Sequence, residues 1–257
     1  MSQKIALITG ATAGIGYETA TILAQNNYNL ILTGRRKDRL ESLKVKLESA
    51  FSCKVLLLNF DIRIKSATEM ALNSIPDEWK AIDLLINNAG LAAGLAPVNS
   101  ADVDDWENMI DTNVKGLLYT CRIVTPWMIE RQSGHVINIS SIAGKEVYPN
   151  GSVYCATKHA VAAISKAMRI ELLPFGIKVS TIAPGAVDTE FSLVRFHGDQ
   201  DKAAQVYKGF TPLSALDIAE TILFVISRPP HVNIDDLLIM PTSQGSARDF
   251  NKKQILS

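Results

Sequence analysis

Short apolar runs alternate with amphipathic segments along this chain, and that alternation predicts an α/β fold with a parallel sheet. Two further observations support it. Several of the runs are apolar throughout, as strands buried under helices on both faces must be. A glycine-rich turn, Thr9-Gly10-Ala11-Thr12-Ala13-Gly14-Ile15-Gly16, joins the first run to the first amphipathic segment. At 257 residues, 47% of them apolar, the chain suits one large domain that buries roughly 70–75% of its unfolded surface. No repeat, low-complexity stretch or linker divides residues 1–257.

The expected strands are Ile5–Thr9, Leu30–Thr33, Val55–Asn59, Leu84–Asn87, Val136–Ser140, Lys178–Ala183 and Leu237–Met240. Between them, Ile15–Asn26 and Lys37–Ser49 read as helices, the second with Leu40, Leu43 and Leu47 at helical spacing. Ser66–Asn73 is shorter. Asp102–Arg131 is long and is expected to be interrupted at Pro126, which lacks the N–H a helix interior needs. Ser152–Leu173 stops at Pro174 and Gly176, and Leu216–Ser227 stops at Pro229-Pro230. Residues 187–212 show no clean periodicity and contain Gly198 and Gly209; they are expected to leave the sheet as an excursion over a site.

Composition narrows the function. The 26 basic and 26 acidic side chains cancel, so no global field draws the protein to nucleic acid or to an anionic membrane. No apolar run approaches the roughly 18 residues of a membrane span, and the start, Met1-Ser2-Gln3-Lys4, does not read as a targeting peptide. Cys53, Cys121 and Cys155 lie far apart without a CxxC, as reduced thiols of a cytoplasmic protein would. His135, His159, His197 and His231 show no metal-ligand spacing, so no metal is expected.

Tyr154 and Lys158 lie four positions apart, which on a helix stacks a phenol and an ammonium on one face. A cation some 4 Å from the phenol, at an effective dielectric of about 20, would lower its pKa by roughly two to three units. That predicts a general acid/base.

The glycine-rich turn has the spacing G-x-x-x-G-x-G and opens a helix, where free N–H groups and the helix dipole favour a pyrophosphate. The second strand ends Thr33-Gly34-Arg35-Arg36, where a cofactor with a free ribose 2′-hydroxyl would want an acid. Arginine forks match a 2′-phosphate, so the expected cofactor is NADP.

These motifs come in order with Asn87-Asn88-Ala89-Gly90, Asn113 in Asp111-Thr112-Asn113-Val114-Lys115-Gly116, Ser140-Ser141 and Pro184-Gly185. Together they resemble a short-chain dehydrogenase/reductase of the "classical" kind over essentially the whole chain. The resemblance implies a single Rossmann-like domain whose seven-stranded parallel sheet has the order 3-2-1-4-5-6-7. It places the catalytic set on Ser141, Tyr154, Lys158 and Asn113, the last helping to hold a water relay to Lys158. It places cofactor contacts on Gly10, Thr12, Gly14, Ile15, Gly16, Arg35, Arg36, Asp61 and Ile62 (adenine side), Asn88, Ala89 and Gly90 (ribose side), Pro184, Gly185, Val187 and Thr189 (nicotinamide side), and on Tyr154 and Lys158, the lysine holding the nicotinamide ribose. It also implies a homotetramer. The long helices around 102–131 and 152–173 would pair between subunits, with Cys121, Met128, Ala162, Ala163 and Ala167 suited to a close apolar contact.

The stretches Thr33–Arg36, Glu107–Asn113, Glu190–Phe196 and Asp236–Ser243 are similar to one branch, the NADP-dependent 3-hydroxy acid (serine/allo-threonine) dehydrogenases. A 3-hydroxy acid carries a carboxylate, and Arg195 in the excursion is the candidate to bind it; the other reading pairs Arg195 with Glu190 or Asp199. A carbonyl or 3-oxoacyl reductase of the same fold is the alternative activity, and a non-catalytic dinucleotide-binding protein the more distant one. Arg248–Ser257 is either a frayed tail or an arm that reaches another subunit.

Overall fold

The computed structural model describes residues 3–252; residues 253–257 of the expected tail or arm lie outside that range. Seven parallel strands form one sheet: β1 (Ile5–Ile8), β2 (Asn29–Gly34), β3 (Val55–Asn59), β4 (Ile82–Asn87), β5 (His135–Ile139), β6 (Lys178–Pro184) and β7 (Asp236–Ile239). Their order is β3-β2-β1-β4-β5-β6-β7, as the resemblance implied.

Side chains alternate across the sheet and feed two cores. Ala6, Ile8, Leu30, Leu32, Leu84, Ile86, Ile137 and Ile139 face α1 (Gly14–Gln25), α2 (Lys37–Ala50) and α9 (Ala215–Ile226). Ile5, Leu7, Ile31, Leu85, Val136 and Val179 face α3 (Lys65–Asn73), α5 (Leu117–Arg131) and α6 (Ser152–Leu172). Leu40, Leu43 and Leu47 supply the buried stripe of α2.

The long helical segment departs from expectation. α4 (Val103–Ile110) runs into a π-helical turn at Asp111–Gly116 and then into α5, which passes through Pro126 without a break. Val124 and Met128, both fully buried, hold the helix on either side of the proline, so the lost backbone bond does not end it. The disturbance lies instead at the wide turn that carries Asn113, a kind of turn that accumulates at functional positions.

The proposed intersubunit residues divide. Cys121 and Met128 point into the subunit's own core, whereas Ala163 and Ala167 are exposed and Ala162 is half-buried. The excursion is also more ordered than its sequence suggests. It contains a two-residue parallel ladder pairing Val187–Asp188 with Leu213–Ser214, then α7 (Phe191–Arg195) and α8 (Gln200–Val206). Helices of five and seven residues are too short to announce themselves by periodicity. Among the described residues, no helix is long and apolar enough to cross a membrane.

Candidate active site

The strand order reverses between β1 and β4, and a crevice opens there at the carboxyl ends of the strands. A groove of about 550 Å³ runs from this crevice to the excursion, within the size range of small-molecule and cofactor sites.

Its floor is the glycine-rich turn. Thr9 Oγ1 accepts hydrogen bonds from the backbone N–H groups of Asn88 (3.0 Å) and Ala89 (2.9 Å), and Asn88 Nδ2 donates to Thr9 O (2.9 Å) and Gly10 O (3.1 Å). The ends of β1 and β4 are thereby pinned together. Gly10 has φ +68°, and a Cβ there would meet Ala89 Cα at 2.9 Å. A Cβ on Gly16 would lie 2.5 Å from both Asn88 Nδ2 and Gly10 O. The first turn of α1 has no side-chain cap and no acidic residue, and its Gly14 lines the groove, an arrangement able to accept an anion. Ile15 and Gly90 line the same wall.

At the adenine end, Asp61 is committed to Arg63, whose Nε lies 3.0 Å and Nη2 2.6 Å from its carboxylate. Burial pushes the Asp61 carboxyl up, but the hydrogen bonds and charge of Arg63, with the charge of the nearby Arg35, outweigh that and hold it below the usual carboxylate range. Ile62 is buried beside it, and the buried Thr112 hydroxyl lines the groove with no hydrogen-bond partner among the described residues. A buried hydroxyl left unpaired, an uncapped helix N-terminus and arginines at the end of β2 together fit a phosphorylated dinucleotide.

The two arginines are not equivalent. Arg35 is 56% exposed, with only a 3.8 Å contact to Asp61. Arg36 donates through Nε and Nη2 to Thr12 Oγ1 (3.1 and 2.8 Å) and through Nη1 to Glu190 (2.7 Å).

Ser141, Tyr154 and Lys158 converge at the other end, all buried. The Ser141 hydroxyl accepts from Ala143 N (3.1 Å) and favours ionisation of the Tyr154 phenol. Its neighbour Ser140 instead donates to Lys158 O and props up α6. Lys158 Nζ donates to Ile139 O at 3.0 Å and lies 5.9 Å from the Tyr154 ring centre.

The electrostatics run opposite to expectation. Burial pushes the Tyr154 phenol up, against smaller opposing effects of Ser141 and Arg195. Burial also pushes Lys158 down to about 8. Desolvation is the leading cause at both groups, and the hydrogen bond the ammonium makes is to a β5 carbonyl.

Asn113 joins the loop at Leu91 to α6, accepting from Leu91 N (2.8 Å) and donating to Leu91 O (2.8 Å) and Thr157 Oγ1 (3.0 Å). Its Oδ1 and Lys158 Nζ flank the same space beside Gly90.

The segment Pro184, Gly185, Val187 and Thr189 closes the groove, with Ala186 N held at 2.8 Å by Gln244 Oε1. Gln244 is buried and was not singled out from sequence; its position shortly after Met240-Pro241-Thr242 was the available signal.

Arg195 pairs with neither Glu190 nor Asp199. Glu190 is taken by Arg36 and Arg39, and Asp199 by Lys202. Arg195 instead donates to Tyr148 Oη (2.9 Å), with its guanidinium carbon 5.6 Å from the Tyr154 ring centre. Tyr148 also went unrecognised, having no periodic or motif signal. Phe191 packs edge-on to Tyr154 at 5.8 Å, and Arg248 and Phe250 complete the rim.

Comparisons with known proteins agree with this geometry. The family model for short chain dehydrogenases matches residues 4–199. A probable NADP-dependent dehydrogenase of Haemophilus influenzae is 46% identical over 248 residues, covering 96% of this chain and 97% of that protein. An NADP-dependent 3-hydroxy acid dehydrogenase of Schizosaccharomyces pombe is 44% identical over 255 residues, covering 99% and 98%. Among solved structures, the closed form of a serine dehydrogenase complexed with NADP+ is 45% identical, with a TM-score of 0.90 and coverage of 97% and 100%. A crevice at the strand-order switch with serine, tyrosine and lysine at one end and arginines at the other, in a chain this similar throughout, leads to one assignment: the protein belongs to the short-chain dehydrogenase family.

Proposed function

We propose that the protein is an NADP(H)-dependent oxidoreductase that interconverts a small 3-hydroxy acid, of the serine, allo-threonine, 3-hydroxyisobutyrate or 3-hydroxypropionate type, and its 3-oxo or semialdehyde product. The observation that carries the substrate class is Arg195, a guanidinium with only neutral partners, facing the chamber that holds Tyr154. The relatives named for 3-hydroxy acid and serine dehydrogenase activity agree with it.

When bound, the nicotinamide dinucleotide supplies or accepts the hydride. The chain's own residues do the rest. In oxidation Tyr154, as phenolate, takes the substrate hydroxyl proton, while Ser141 donates a hydrogen bond to the oxygen where charge develops. Lys158 holds positive charge in a buried site next to the phenol. The space it shares with the Asn113 carbonyl oxygen gives room for a water relay to carry the proton out. Arg195 binds the carboxylate and Arg35 reads the 2′-phosphate. Gly10, Thr12, Gly14, Ile15, Gly16, Asp61, Ile62, Asn88, Ala89, Gly90 and the Pro184–Thr189 segment shape the dinucleotide groove. A neutral-carbonyl reductase would use the same proton machinery but would leave Arg195 with an unsatisfied charge.

We also infer a homotetramer, for which the exposed Ile110, Leu118 and Ile170 along the helices of one face are the support, and a cytoplasmic setting, which suits the free Cys53, Cys121 and Cys155. The test of the activity is NADP+ reduction across L-serine, L-allo-threonine, 3-hydroxyisobutyrate and 3-hydroxypropionate. Turnover of at least one is expected, and silence on all four removes the substrate assignment.

A further inference from the structure

The cofactor side and the substrate side of the groove are tied together by a carboxylate that the chemistry above does not use. Glu190 caps the N-terminus of α7, yet its side chain reaches across to the first turn of α2. Its Oε2 accepts from Arg36 Nη1 at 2.7 Å, and Arg39 Nη1 donates to its Oε1 at 2.7 Å and its Oε2 at 2.9 Å.

The residue before it, Thr189, stands directly over the glycine-rich turn: a Cβ on Gly14 would lie 3.2 Å from both Thr189 Cβ and Cγ2. The strand of chain through Thr189 and Glu190 therefore crosses above the turn that faces the pyrophosphate. At the other end of α7, Gly94 N donates to Arg195 O (2.9 Å), and His197 Nε2 lies 3.1 Å from Asp105 Oδ2. Residues 189–197 form a strap fastened on both sides of the groove.

We propose that Glu190 is a positioning residue that retains the dinucleotide: its ion pairs with Arg36 and Arg39 clasp the strap shut across the groove, and they must part for the cofactor to leave. The clasp rests on the dinucleotide reading of the site. It also divides the labour of the arginine pair. Arg36 is committed to Thr12 and Glu190, which leaves Arg35, with its single long contact, as the arginine more available to a 2′-phosphate.

The strength of the clasp suits a device that opens on every turnover. Arg36, Arg39 and Glu190 are 44%, 47% and 43% exposed, so water and salt screen both pairs. A deeply buried pair would hold the product in place. Because α7 also carries Phe191 against Tyr154 and Arg195 at its end, release of Glu190 frees the segment that shapes the substrate chamber.

Cofactor release measured by stopped-flow fluorescence, for NADPH and NADH separately, tests the clasp in the wild type, Glu190→Gln, Arg39→Gln and the double variant. Glu190→Gln should release both cofactors roughly fivefold faster, the rate equivalent of about 1 kcal/mol. Arg39→Gln should give part of that gain, and adding it to Glu190→Gln should give nothing further, as expected for partners in one interaction. Added salt should speed NADH release, which lacks the 2′-phosphate contact, more in the wild type than in Glu190→Gln. Unchanged release in Glu190→Gln overturns the clasp. So does slower release of NADPH alone, which would make Glu190 a competitor of the 2′-phosphate for the arginines. If the wild type binds NADH and not NADPH, the NADP(H) reading falls, while the clasp is still decided by the NADH measurement.

Discussion

Replacing Arg195 with alanine separates recognition of the substrate from the chemistry. Two of the Arg195 N–H groups are engaged, both by neutral acceptors: Tyr148 Oη at 2.9 Å and Gly94 O at 3.4 Å. The remaining donors have no acceptor among the described residues, and the guanidinium sits half-buried beside the Tyr154 ring. A charge-assisted hydrogen bond from such a group to a carboxylate contributes about 1.5–3 kcal/mol. Arg195→Ala should therefore lower kcat/KM for L-serine roughly 10- to 150-fold. The carboxylate is bound before and during hydride transfer alike, so the loss should fall mainly on KM. The assay compares L-serine with serinamide, whose amide carries no charge, and measures NADPH affinity alongside. Serinamide turnover and NADPH binding should be nearly unchanged. Equal losses on serine and serinamide would show that Arg195 shapes the chamber without reading the carboxylate, and no loss on either would remove it from the site.

Three further outcomes follow from the same geometry. Tyr154→Phe should lower turnover about 10²- to 10⁴-fold with NADPH affinity retained, and since burial pushes the phenol up, wild-type oxidation should speed up with pH between about 7 and 9 while reduction, which uses the protonated phenol, stays level; a flat oxidative profile contradicts this. Lys158, pushed by burial from its ordinary 10.5 down to about 8, loses its proton earlier in the folded chain than in the unfolded one. The unfolded state then binds more protons between those values, so this group's contribution to stability rises with pH across that window, by at most about 3 kcal/mol. Thermal melts of Lys158→Met at several pH values should lack that rise, and the same rise in the variant would assign it elsewhere. Gly16→Ala drives a methyl onto Asn88 Nδ2 and Gly10 O, and should cost about 1–3 kcal/mol of stability together with cofactor affinity; a variant that melts and binds NADPH like the wild type would show that the turn can yield.

What could be read in the sequence was whatever leaves a local trace. Ile5–Ile8, Leu84–Asn87 and their neighbours are apolar because helices cover both faces, so the strands and their parallel build were visible. The Tyr154 and Lys158 spacing, the glycine turn and Ser141 were visible because each is fixed by a short stretch of backbone. The Pro126 interruption was misplaced because a proline announces itself in sequence, whereas the wide turn at Asn113 depends on tertiary contacts to Leu91 and Thr157. The pKa direction of Tyr154 was misjudged for a related reason. Residue spacing gives the distance between two groups along a helix, but neither the carbonyl to which Lys158 turns nor the depth at which both are buried. Tyr148 and Glu190 lay furthest from view. Each acts through partners in distant parts of the chain, Arg195 in one case and Arg36 and Arg39 in the other, and a single tyrosine or glutamate in a loop looks like any other. The parts proposed to select substrate and hold cofactor are assembled from such long-range contacts, which leave no local trace. Substitutions at Tyr148, Glu190 or Arg195 should therefore shift KM and release rates, whereas those at Ser141, Tyr154 or Lys158 should lower turnover by orders of magnitude.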